Sequence, residues 1–261
     1  VGNSGSDYPS CENLNRLVPG TVVARYCVFS TMHSHSFSVG EKHRMKCFPR
    51  YCGVGLLSCL SFVLSAIVFA EELKPTDWPQ WRGPTRDSRV VGTQWPDSLD
   101  KNHLELSWEV EQGPSYSGPI VVGNRVFTTE TDEKKTEVVY AYDKTTGDEL
   151  WRTEWEGAMT VPFFAASNGS WIRATPACDG KTLYVAGMCD VLYALDCATG
   201  DTKWHIDFKN RFDSPMPAFG FASSPLVHGD AIFVQAGGGF IKLNKTTGET
   251  IWRVANDGGG M

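Results

Sequence analysis

The chain has 261 residues, with 24 Lys and Arg against 30 Asp and Glu, a formal net charge of −6. With 41% hydrophobic and 21% charged residues, it has enough apolar material to bury a core and is not a wholly disordered chain. The acidic balance argues against nucleic acid and anionic membrane as partners, because both are bound chiefly through Lys and Arg.

Residues 1–44 contain Ser, Gly, Asn and His without sustained periodicity and carry no fold signal. They read as an unstructured leader or as a start assigned too far upstream. Residues 45–70 open with Lys46 and Arg50, continue as an apolar stretch and end at Val68-Phe69-Ala70, before Glu71-Glu72 turn acidic. That pattern predicts a secretory signal peptide and a periplasmic or secreted protein. The rival is an uncleaved anchor, the one route by which this chain would meet a membrane. A spanning helix needs about 20 apolar residues, and the run over 51–70 is broken by Gly53, Gly55 and three serines.

Cleavage would leave 71–261, with 18 basic against 27 acidic residues, a balance of −9, and three cysteines: Cys178, Cys189 and Cys197. An oxidising compartment would permit one disulfide. Cys178 and Cys197 are expected at one end of a sheet but two strands apart, ~10 Å at ordinary strand spacing, beyond the reach of a bridge unless the loops bend. No cysteine or histidine cluster has metal-site spacing.

After a lead-in over 71–103, the spacing predicts a lone strand over 104–110 and then three sets of four short strands. The first set lies over 118–122, 125–131, 137–142 and 149–155, the second over 174–178, 182–186, 191–195 and 202–208, and the third over 224–227, 232–235, 240–243 and 250–254. Turn residues Gly123-Asn124, Asp179-Gly180 and Gly229-Asp230 separate the first two strands of each set. No helix-period stretch is expected after residue 72. Short, evenly spaced strands indicate an all-β protein, and four strands per repeat select a propeller.

A phrase repeats at the end of each set. It reads A-Y-D-K-T-T-G-D-E-L-W over 141–151, A-L-D-C-A-T-G-D-T-K-W over 194–204 and K-L-N-K-T-T-G-E-T-I-W over 242–252. Asp143, Asp196 and Asn244 can accept hydrogen bonds from backbone amides just ahead and nucleate a turn. Gly147, Gly200 and Gly248 supply its positive φ. Trp151, Trp204 and Trp252 follow on the outer strand, where an indole can pack between sheets. A repeat that cannot bury its own apolar face must stack on its neighbours.

This phrase resembles the quinoprotein-like propeller repeat, also called the pyrroloquinoline-quinone-like repeat or tryptophan-docking motif, with the pattern A-x-D-x-x-T-G-x-x-x-W. The third copy departs at Lys242 and Asn244. Trp78-Pro-Gln-Trp-Arg-Gly-Pro84 looks like the lead-in of secreted bacterial members. The resemblance implies an incomplete β-propeller over 104–261, with about three four-stranded blades plus one extra N-terminal strand. Propellers close with ~4–8 blades, so the expectation is an N-terminal fragment whose remaining blades lie outside this chain. The strand over 104–110 would pair with strands beyond Met261 to close the ring.

In that fold the loop before each innermost strand borders the central channel. Those loops carry Tyr116, Trp171, Arg173 and Phe221, aromatic surface with one cation, as candidate ligand-binding residues. Packing against the next blade is the competing role for such aromatics. The resemblance also implies an alternative, a quinone-dependent alcohol dehydrogenase using pyrroloquinoline quinone and calcium. Family enzymes of that kind hold calcium with Glu, Asn and Asp, use an Asp base, and often carry adjacent cysteines. No Cys-Cys pair occurs here. Asp190 and Asp213 read as solvated turn residues, and no catalytic residue, metal ligand or assured cofactor is assigned. The favoured reading is a binding or scaffold module for a protein or small ligand, similar to the lipoprotein of this fold that assists outer-membrane assembly. A sensor fused to another domain is the third.

Overall fold

The computed structural model describes residues 24–30, 72–90, 105–132, 135–157 and 159–254. The expected signal segment over 45–70 lies outside the described residues. Strand β1 (Ala24–Ser30) pairs antiparallel with β2 (Glu105–Gln112). The strand expected over 104–110 is thus paired here with a segment of the N-terminal stretch read as a leader. An edge with unpaired backbone groups accepts whichever strand reaches it in register.

Three four-stranded antiparallel meanders follow, and the chain has the all-β architecture of an incomplete propeller. The first sheet is β3 (Ile120–Val122), β4 (Arg125–Asp132), β5 (Thr136–Asp143) and β6 (Glu149–Glu156). The second is β7 (Ala177–Cys178), β8 (Thr182–Gly187), β9 (Val191–Asp196) and β10 (Thr202–Asp207). The third is β11 (Leu226–His228), β12 (Ala231–Ala236), β13 (Gly239–Asn244) and β14 (Thr250–Val254). The innermost strands begin two or three residues later than the sequence pattern indicates. Pro119, Pro176 and Pro225 stand just before them, and a proline has no N–H for a ladder.

Among the described residues two short helices interrupt the expected all-strand pattern. A 3-10 turn covers Phe163–Asn168. Helix α1 (Phe208–Phe212) replaces the end of a strand, because the Asp207 side chain caps it by accepting from Asn210 N–H.

The sheets stack face to face. One apolar layer lies between the first and second sheets and includes Phe127, Val139, Trp151, Ile172, Leu183 and Leu195. Another lies between the second and third and includes Tyr184, Leu192, Ile206, Phe208, Ile232 and Ile241. Strand β8 is buried along its whole length, as a strand enclosed on both faces must be, so period-two alternation is lost there.

The three repeated phrases form the same turn. Asp143 Oδ1 accepts from the amides of Thr145 (2.7 Å) and Thr146 (3.0 Å). Asp196 Oδ1 does so from Ala198 and Thr199, and Asn244 Oδ1 from Thr246 and Thr247. Only one side-chain oxygen receives these amides, which is why Asn serves in the third copy. Those amides, Thr146 first and then Thr145, lower the pKa of Asp143 from its ordinary value. In the outer strands one residue falls out of register just before each tryptophan: Leu150, Lys203 and Ile251. Such a bulge re-aims the following side chain.

Trp108, Trp151 and Trp204 each cover a glycine of the following sheet. A Cβ on Gly147 would come within 2.7 Å of Trp108, one on Gly200 within 2.6 Å of Trp151, and one on Gly248 within 2.9 Å of Trp204. These glycines have φ of +79, +79 and +72°, so both backbone and space require them. The indole N–H groups of Trp108, Trp151 and Trp204 donate to the carbonyls of Lys144 (2.8 Å), Cys197 (3.1 Å) and Lys245 (3.3 Å). Trp252 packs on Phe233 and Phe240 of its own sheet and is 36% exposed.

Candidate functional site

The turns that carry the repeated phrase lie at one end of the sheets. At the other end the loops before the innermost strands are tied into a chain of hydrogen bonds. Gly118 N–H donates to Thr175 Oγ1 (3.1 Å), and Thr175 N–H donates to Ser224 Oγ (3.0 Å). Tyr116 N–H donates to Ile172 O, and Ile172 N–H to Thr131 Oγ1. Loop residues that lack ladder partners are thereby satisfied by the neighbouring sheet.

The lead-in crosses all three innermost strands. Trp78 and Val121 exchange backbone hydrogen bonds, Cys178 N–H donates to Pro79 O, and Arg86 reaches Pro225 O at 3.5 Å. Asp77 anchors its start by accepting from Gly123 N–H. Within this segment Arg82, Arg86 and Ser88 all hold left-handed backbone, at φ of 64, 58 and 63°. Non-glycine residues in that region cost about 1 kcal/mol or more each, and such strain clusters at functional positions.

A cavity of about 450 Å³ opens between this segment and the loops, lined by Trp81, Arg86, Tyr116, Arg173, Thr175 and Gln235 together with residues 222–224. Among the described residues its lining holds two guanidinium groups and no carboxylate. The Arg173 guanidinium lies 5.3 Å from the Tyr116 ring centroid and donates to Gly169 O, while its buried Nε has no hydrogen-bond partner. Arg86 lies 5.5 Å from the Trp81 ring. Burial and the adjacent Arg82 charge lower the Arg86 pKa from its ordinary value, the signature of a cation short of compensating negative charge.

Three of the four candidate ligand residues come together. Tyr116 sits between Trp171, with ring centroids 5.2 Å apart, and Arg173. Trp171 supports Tyr116 from outside the cavity lining. Phe221 does not join them: it is 2% exposed and packs edge-on to Phe208 in the core between the second and third sheets. The loop turns at Gly220, with φ +74°, and points that ring inward. Trp81 and Arg86 are lining residues that the sequence reading did not single out. An aromatic and two arginines around a Gly-Pro turn was the signal available.

The carboxylates of Glu137 and Asp190 are fully buried at this end. Glu137 accepts from Trp155 Nε1–H (2.7 Å) and from Met188 N–H of the second sheet (2.7 Å). Burial pushes its pKa up to about 7, against the lowering pull of those two donors. Asp190 accepts from Gly237 N–H of the third sheet (2.9 Å), and burial pushes its pKa up to about 6. Each is therefore a strut from one sheet to a turn of the next. Asp190 was read as a solvated turn residue; it is fully buried because the third sheet closes over its turn. Asp213 occupies the left-handed position that ends α1. Among the described residues no three His, Cys, Asp or Glu side chains gather where they could hold a metal ion, and the charged groups of the cavity are cations. Among the described residues the cavity lining offers no carboxylate to hold calcium.

Residues 134–261 match the family described as "Outer membrane protein assembly factor BamB". Over 159 residues the chain is 31% identical to the serine/threonine-protein kinase AfsK of Streptomyces griseus, spanning 59% of this chain and 18% of that protein. Among solved structures, a europium-containing methanol dehydrogenase superposes with a TM-score of 0.51 at 17% identity, covering 69% of this chain and 32% of that one. The quinohemoprotein alcohol dehydrogenase of Comamonas testosteroni superposes with a TM-score of 0.50 at 22% identity, covering 68% and 27%. At those identities the likeness is one of fold. The chain spans less than a third of the length of each of these three proteins.

Proposed function

Because the chain belongs to the pyrroloquinoline-quinone-like β-propeller family, we propose that it is an exported binding or scaffold module, and that its recognition site is the cavity framed by Trp81, Arg86, Tyr116 and Arg173. The observation that carries this reading is chemical. Two guanidinium groups and two half-exposed aromatic rings face one cavity without a carboxylate to neutralise them. Arginines beside aromatic faces suit a ligand carrying a carboxylate on a planar or apolar body, as a small molecule or as part of a protein partner. The surrounding hydrogen-bonded loops hold the site in place before any ligand arrives, which lowers the entropic cost of binding. The family description, with its named role in outer-membrane protein assembly, supports a protein partner and a location outside the cytoplasm.

The test is a thermal-shift and fluorescence screen of the full chain against aromatic carboxylates and acidic peptides, repeated with Arg173→Ala and Trp171→Ala. Removing a charge-assisted hydrogen bond should weaken binding by ~10-fold or more. If both variants bind every ligand found as tightly as the parent, the cavity is not the recognition site. Dye-linked alcohol oxidation above background with added quinone and calcium would replace this reading with the dehydrogenase one.

A further inference from the structure

We propose that Cys178 and Cys197 form a disulfide when the chain folds under oxidising conditions, and that this bond locks the contact between the first and second sheets. The inference goes beyond the binding role and does not depend on it. The two sulfurs lie 3.0 Å apart, far closer than the strand-spacing value of ~10 Å. The reason is local. Cys178 ends β7, while Cys197 opens the turn after β9 and folds back across the intervening hairpin, donating its backbone N–H to Lys181 O at 3.1 Å. Both side chains are almost wholly buried. Two thiols already at this separation need only a small movement to reach bonding distance, ~2.05 Å.

The bond would sit at a junction. Cys197 O accepts the indole N–H of Trp151 from the first sheet, and both sulfurs belong to the apolar layer that contains that indole. Tying the innermost strand to this turn fixes the carbonyl on which Trp151 rests. Cys189 is not the partner, because it lies in the turn between β8 and β9 at the opposite end of the sheet.

The reaction is thiol–disulfide exchange with a small-molecule disulfide, of the class of oxidised glutathione. A thiolate attacks one sulfur of the oxidant, which releases a thiol and leaves a mixed disulfide. The second cysteine then displaces the remaining thiol. The two cysteine sulfurs lose two protons and two electrons to form one S–S bond, and the oxidant's S–S bond becomes two thiols. In the folded chain the hydrogen bond with Cys178, then burial, raise the Cys197 pKa. Exchange therefore belongs to the folding stage, before the pair is enclosed.

The experiment is refolding of the full chain from denaturant in a mixture of oxidised and reduced glutathione, followed by tryptic mapping without reduction. The expected product joins the peptide over 174–181 to the peptide over 182–203 through Cys197, resolved from Cys189 by fragmentation and by a Cys189→Ser variant. The oxidised protein should melt on the order of 5–10 °C above the dithiothreitol-treated protein, and Cys178→Ser should abolish that difference. Recovery of both cysteines as alkylatable thiols, linkage of Cys178 to Cys189, or a linked protein whose melting ignores reductant would each overturn the proposal.

Discussion

Gly200→Ala tests the contact that joins the first two sheets. The added Cβ would lie 2.6 Å from Trp151 Cε3 and 2.8 Å from Thr153 Oγ1. Two costs follow. Holding alanine at φ +79° costs about 1 kcal/mol, and forcing the indole and hydroxyl aside costs about 2 kcal/mol more, as overpacking does. Gly229→Ala isolates the first cost, since Gly229 has φ +58° with nothing within 4 Å of the added carbon; it should cost about 1 kcal/mol. Trp151→Ala should cost about 3–5 kcal/mol. With the indole gone, much of the overlap at residue 200 disappears, so the double variant should fall short of the sum by about 1–2 kcal/mol. Urea unfolding followed by far-ultraviolet circular dichroism measures all four. Equal losses for the two glycine variants, together with strict additivity of the pair, would refute packing of Trp151 on the next sheet's turn.

Stability should fall as pH rises. The Glu137 pKa is raised in the folded chain to about 7, so the native state holds the proton more tightly than the unfolded chain. Its contribution is complete below the unfolded value, near 4.5, and is lost as pH climbs through 7, a difference on the order of 3 kcal/mol. Asp190, raised to about 6, adds a loss in a lower window. Urea midpoints at pH 5 and 8 should differ in that direction, and Glu137→Gln should flatten the slope; a stability that rises between those pH values would contradict the assignment. In the first repeated turn, Asp143→Asn should lower the melting temperature less than Asp143→Ala, because Oδ1 still accepts both amides while the bond from Asn124 to Oδ2 is lost. Equal melting of the two variants would remove that role.

Much of the site was out of reach of the sequence for identifiable reasons. Tyr116 and Arg173 stand in loops whose position before an innermost strand follows from the repeat, so their shared location was legible. Phe221 occupies an equivalent loop yet faces inward, and no periodicity distinguishes a loop aromatic that lines a channel from one that fills a core. Trp81 and Arg86 reach the cavity only because the lead-in is pinned to Val121, Cys178 and Pro225, contacts 43 to 139 residues apart in sequence with no local signature. The two cysteines were misplaced because strand counting ignores how far a turn can fold back.

The repeated Asp or Asn, Gly and Trp determine by themselves that this is a stack of four-stranded sheets, since each acts within a few residues through turn geometry and strand period. Which glycine each indole covers, which carboxylates become buried struts, and which arginines share a cavity were decided only when the sheets stacked. Those outcomes depend on distances between residues of different repeats, and nothing in a local sequence window encodes them.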